Sequence, residues 1–208
     1  MGYRKYFIAA IERNYPSDSA FIVDSTDKNF QSISKDTQFA STSSNPIDRR
    51  LDFTAYFLAL IKTLDERGES FETIRKICLE TILEFVRPKN SIQRFLKRLP
   101  VLLIDTWIAN IFLKTFKKKI QQRSHPDGFV ATVITDKNET YGLGYGFDIV
   151  ECGICKLFQK HNYQKYAPIL CEVDEVTSGL AGLELIRSGT IALGANKCDF
   201  RFKKVNAT

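Results

Sequence analysis

Long apolar runs are missing from this chain. The most apolar stretch, residues 101–113, contains Asp105 and falls short of the roughly 17–25 residues that a membrane-spanning helix needs. No secretory leader is expected either: near the N-terminus only residues 7–11 are apolar before Glu12 and Arg13. Glycine (11) and cysteine (5) are too few among 208 residues for a collagen-like or disulfide-scaffold protein. Charge-rich disorder is excluded by 16 Phe and 8 Tyr, which need a core to bury them. The cysteine count is odd, so free thiols in a reducing cytoplasm are the expectation.

Charge is unevenly placed. Between Arg87 and Arg123 there are ten Lys or Arg against Asp105 alone, whereas the whole chain carries only +6. The plainest reading is the solvated face of a long helix over residues 101–123, with Trp107 and Ile111 turned inward. A membrane or other anionic partner for this segment is the weaker alternative. Nucleic acid is not expected, because no stacking aromatics interleave with the lysines.

Periodicity predicts a helical region over residues 1–123 and an α+β region over 124–208, expected to pack as one unit. A helix over 1–15 ends at Pro16. Residues 16–47 are rich in Ser, Thr, Asp and Asn, and read as irregular and partly mobile. Phe53, Phe57, Leu60 and Leu64 mark one face of a helix that Gly68 can end. Ser70 is placed to cap the next helix and Ser91 a third, interrupted at Pro100. After Pro126-Asp127-Gly128 the period changes. Residues 129–135 and 143–151 read as strands, the second with Gly142, Gly144 and Gly146 on one face. A helix over 153–161 and a short one near 163–170 follow, then strands over 183–193 and 197–204. The fold class is α+β: a helical N-terminal half packed on a largely antiparallel C-terminal sheet.

Four cysteines fall in the last third, at C-x2-C-x15-C-x26-C spacing. A structural zinc site usually brings a second tight pair, so no cofactor is expected and zinc is the minor alternative. Cys171 and Asp174 are three apart and share a face if the chain is helical there. In Cys198-Asp199-Phe200-Arg201-Phe202 the alternation puts Cys198 with the aromatics, and Asp199 opposite as a structural hydrogen-bonder. His161 reads as a surface residue at a helix end and His125 as loop.

Three stretches together are familiar: Phe147 to Cys152, Pro168-Ile-Leu-Cys171-Glu-Val-Asp174, and Arg187-Ser-Gly-Thr190 through Gly194 to Cys198-Asp199-Phe200-Arg201-Phe202. In order and spacing they resemble the L-2-amino-thiazoline-4-carboxylic acid hydrolase family. The resemblance is strongest over about residues 140–204. It implies hydrolysis of a C–N bond in a small cyclic amidine or amide-like substrate, as when water opens a 2-aminothiazoline ring to S-carbamoyl cysteine.

The residues suit that chemistry. A thiolate is the strongest nucleophile on offer, from Cys171 or Cys198. Asp174 is the candidate acid and base. Arg187 presents a planar fork suited to a carboxylate, and Cys152 is placed to line the same pocket. These five are the candidate site: Cys171, Asp174 and Cys198 catalytic, Cys152 and Arg187 substrate-binding. The competing reading is a non-catalytic small-molecule-binding or sensory module with a Cys-lined pocket, since free cysteine is also a common core residue. A small-molecule substrate is the expected partner, and a homo-oligomer is left open.

Overall fold

The computed structural model describes residues 2–103 and 106–205, without the side chains of residues 100, 102, 107–110 and 112. The chain passes between two compact units. One is built from residues 2–43, Asp48–Val86 and Gly153–Leu170, the other from Ser44–Ile47, Arg87–Cys152 and residues 171–205.

In the helical unit α3 (Arg50–Glu66) is buried around most of its circumference, from Leu51 through Leu64. An all-round apolar helix belongs at the centre of a bundle, and α2, α4 and α7 all pack on it. The helix α1 (Arg4–Asn14) buries Phe7, Ala10 and Ile11. The Phe7 ring meets Tyr56 and Phe57 of α3 edge-on, at centroid distances of 4.7 and 4.9 Å. Such pairs add to the burial term because ring edges and faces carry opposite partial charge. Gly68 ends α3 at φ 82°, a left-handed backbone that costs glycine little. Ser70 Oγ accepts from Thr73 N at 3.1 Å and so caps α4 (Phe71–Val86).

Residues 16–47 are ordered, contrary to the irregular segment that their composition suggests. They form α2 (Ser19–Ile33), followed by a 3-10 helix at Ser34–Ser41. Ile22, Thr26, Phe30 and Ile33 are buried at helical spacing. The polar residues that hide this period bind within the unit. Asp27 accepts from Arg4 Nε at 3.0 Å and Tyr56 Oη at 2.7 Å, and Asn29 donates to Thr63 Oγ1 at 3.0 Å. His161, which follows α7 (Gly153–Lys160), is likewise no surface residue: its Nε2 lies 3.0 Å from Asp36 Oδ2 in a largely covered position.

The second unit holds a four-stranded antiparallel sheet in the order β1-β2-β4-β3. Its strands are Val130–Ile134, Gly146–Glu151, Leu183–Ile186 and Cys198–Lys204 for β1 to β4. One face is apolar, carrying Ala131, Val133, Phe147, Ile149, Leu185, Cys198, Phe200 and Phe202 by register and alternation. Phe147 stacks on Phe200 across the ladder at 4.3 Å. The opposite face carries Asp148, Asp199 and Arg201. Asp148 is buried there, receiving Arg201 Nη1 at 2.8 Å and Lys197 Nζ at 2.6 Å.

Several expected boundaries move. Of the three alternating glycines only Gly146 lies in a strand; Gly142 and Gly144 turn the chain at φ 80° and 66°. A Cβ on Gly146 would meet the Phe200 carbonyl oxygen at 2.7 Å. Backbone cannot swing away as a side chain does, so Gly146→Ala is expected to cost about 1–3 kcal/mol, checked by denaturant unfolding. The expected strand over 183–193 stops at Ile186, because the following loop is drawn onto Asp199. Residues 101–123 are not one helix. The helix α5 (Ser91–Leu102) runs through Pro100 and α6 (Trp107–Gln121) starts separately. Asn90, not Ser91, caps α5, its Oδ1 accepting from Gln93 N at 2.8 Å. Ile111 is 56% exposed rather than turned inward, and the expected inward turn of Trp107 lies outside the described side chains. Among the described residues no helix is long and apolar enough to cross a membrane.

Candidate functional site

Cys171 and Asp174 stand on α8 (Ala167–Leu180), three residues apart and so on one helical face. Cys198 opens β4 on the apolar face of the sheet. Arg187 leaves the end of β3 and lays its guanidinium over the Phe200 ring, 5.3 Å from the centroid. From there Nη2 donates to the Cys171 carbonyl oxygen at 3.1 Å, and Nη1 lies 3.6 Å from Asp174 Oδ2. Arg187 thus ties the helix to the sheet face where Cys198 emerges.

The loop that carries Arg187 is fixed by Asp199. Its carboxylate accepts from Ser188 N at 3.0 Å, Ser188 Oγ at 2.6 Å and Gly189 N at 3.0 Å. Burial opposes ionisation of Asp199, but these donors outweigh it and hold the carboxyl below its ordinary range. Asp199 is therefore a structural hydrogen-bonder, and what it structures is the site loop. Ile191 N, one turn further, points at Cys198 Sγ at 3.2 Å.

The three thiols share one electrostatic neighbourhood. Burial pushes the Cys171 thiol up to about 12, the Asp174 carboxylate adds to this, Arg187 opposes it, and Cys152 and Cys198 both contribute. Burial also raises Cys198, against the Ile191 N–H, and Cys152, Arg187 and Asp174 act on it too. Cys152, directly after β2, is near enough to act electrostatically on both of these thiols. None of the five cysteines forms a disulfide. Cys78 is buried in α4, and Cys155 stands on α7. Among the described residues no group of three or more His, Cys, Asp or Glu is arranged to hold a metal ion.

Two side-chain donors in this part of the chain are buried without a hydrogen-bond partner: Arg187 Nη1 and Thr190 Oγ1. The Arg187 side chain is only 10% exposed. Orphaned buried donors are costly, of the order of 1–3 kcal/mol each, and call for a ligand or an ordered water. Thr190 stands in the sequence pattern but not among the five candidate residues. Nothing in its local sequence shows that a turn buries its hydroxyl.

The sequence model of the L-2-amino-thiazoline-4-carboxylic acid hydrolases matches residues 49–202. The chain belongs to this family. The match takes in Cys152, Cys171, Asp174, Arg187 and Cys198, and it begins after α2, so the first two helices lie outside it. Comparison with curated proteins and with solved structures returned no match. The family's name is that of a hydrolase acting on a thiazoline carboxylate.

Raised thiols have a direct consequence. The thiolate is the species that alkylates, and burial keeps it scarce. Iodoacetamide should therefore label Cys171 slowly at neutral pH. The rate is expected to climb about tenfold per pH unit toward the alkaline value, followed by peptide mass spectrometry.

Proposed function

We propose that the protein is a hydrolase of a C–N bond in a small cyclic amidine or amide-like substrate bearing a carboxylate, in the manner of 2-aminothiazoline-4-carboxylate ring opening. The observation that carries the reading is the buried Arg187 Nη1, orphaned beside two thiols and a carboxylate. A substrate carboxylate would complete the guanidinium fork, and Thr190 Oγ1 would supply a further donor.

The chemistry then divides between α8 and the substrate. The Cys171 thiol attacks the C=N carbon and passes its proton to Asp174. Asp174 returns that proton to the ring nitrogen, which takes a second one from the exocyclic amino group as the C–N bond breaks, and the opened substrate is left as a C=NH carbon linked through sulfur. Water then adds at the same carbon and expels Cys171 as a thiol, so that net one water is consumed. A thiol that stays protonated at rest suits this scheme, since the base acts only when substrate is in place. Cys198 holds the same role in reserve at the other wall, and Cys152 lines the site. The cytoplasm, which keeps such thiols reduced, is the compartment that fits.

Arg187→Ala is expected to raise KM by one to two orders of magnitude while kcat falls much less, because a carboxylate anchor holds ground and transition states alike. Steady-state kinetics on 2-aminothiazoline-4-carboxylate read both constants. An unchanged KM contradicts the anchor. The strongly raised Cys171 thiol also favours a second reading, a binding module whose cysteines only line a pocket. Tight binding of the same compound without turnover would establish it.

A further inference from the structure

The basic segment places its charge and its exposed apolar side chains on one element. On α5 Ile92 is 70% exposed, Phe95 56% and Leu96 55%, and Leu103 just beyond the helix is 46% exposed. With Leu99 they fall at i, i+3, i+4, i+7 and i+11, a single stripe along a helix of about 18 Å. Arg94, Lys97 and Arg98 stand on the other side of the helix. No acidic residue occurs from Arg87 through Leu103. On α6 Lys114, Lys118 and Lys119 are exposed as well. Apolar side chains of this size are normally covered, and here they line one side of a wholly cationic element.

We propose that α5 lies in the interface of an anionic lipid surface, with Ile92, Phe95 and Leu96 inserted at the acyl boundary and the arginines at the headgroups. The charge argues for this occupant. A second copy packed on the apolar stripe would leave the cations on the other side unanswered, whereas an anionic bilayer takes up the stripe and complements the cations at its headgroups. A flat bilayer also takes up a convex apolar stripe backed by a cationic polar face, the form of an interfacial helix. Nucleic acid does not fit, because Phe95 is the one aromatic residue on the face and aliphatic side chains have no ring to stack on bases. This inference is independent of the hydrolase reading.

The test is co-sedimentation of the full chain with phosphatidylcholine vesicles, plain or doped with phosphatidylserine. The doped vesicles should bind at least about tenfold better, and binding should weaken as salt shortens the screening length. Phe95→Ser with Leu96→Ser is expected to lower the affinity at least about tenfold through lost burial. Arg94→Gln with Arg98→Gln should lower it about fivefold per charge. The charge variants carry the test if the apolar pair fails to fold, which circular dichroism reports. Equal binding to both vesicle types overturns the proposal, as does wild-type binding by the folded variants. A dimer that Phe95→Ser and Leu96→Ser dissolve, without vesicle binding, overturns it in favour of self-association.

Discussion

Cys171→Ala and Asp174→Asn are each expected to lower kcat for ring opening by about 10²–10⁴-fold while the fold persists. The two side chains share a face of α8, and the proposed chemistry passes one proton back and forth between them. Neither replacement disturbs the apolar face of the sheet. The Cys171 carbonyl that receives Arg187 is main chain and survives the mutation. Unaltered thermal unfolding alongside lost turnover separates chemistry from folding. Cys198→Ala decides between the thiols: if it is inactive and Cys171→Ala is active, the nucleophile lies on β4. Full activity in all of these variants removes the site.

The second large effect concerns stability. Asp148→Ala is expected to destabilise the protein by about 3 kcal/mol, because it leaves the Arg201 guanidinium covered and unpaired. The Asp148 and Arg201 side chains are only 12% and 13% exposed, so solvent screens them little. At this chain length the loss corresponds to a fall in Tm of roughly 6–12 °C. The pH dependence has a definite sign. Burial disfavours the Asp148 carboxylate, but hydrogen bonds from Arg201 and Lys197 outweigh it and lower its pKa in the folded state. The pair's contribution is therefore full above the unfolded value of about 3.9 and lost as pH falls through the folded one. Wild type and Asp148→Ala should thus converge in stability in acid, seen by denaturant unfolding at pH 7 and near pH 2–3. A constant gap across that range contradicts the assignment.

How much of this was legible beforehand depends on the range of the interaction. The faces of α3 and α4 read directly, since Phe57, Leu60, Leu64, Ile74, Cys78 and Ile82 are core residues at helical spacing. The alternation Cys198-Phe200-Phe202 likewise gave the buried face of β4. The helix α2 was hidden because Thr26 stands in its apolar stripe, and Asp27 and Asn29 are polar residues whose partners lie 23–34 positions away. The same holds at the site. That Cys171 and Asp174 share a face follows from spacing. That Arg187 reaches them depends on Asp199 gathering the Ser188 and Gly189 amides across the β3–β4 connection. The raised Cys171 thiol depends on burial and neighbours from three separate segments, which no local motif encodes. The raised thiol therefore disfavours, at rest, the thiolate that the sequence offers as nucleophile.

The central claim is that this chain hydrolyses a C–N bond, and purified wild-type protein incubated with L-2-aminothiazoline-4-carboxylate in ¹⁸O-labelled water tests it most directly. Mass spectrometry of the products should show the ring opened to a carbamoyl cysteine carrying one labelled oxygen, with turnover by Asp174→Asn lower by about 10²–10⁴-fold. Intact substrate recovered from a saturated protein would contradict hydrolysis and leave a binding module.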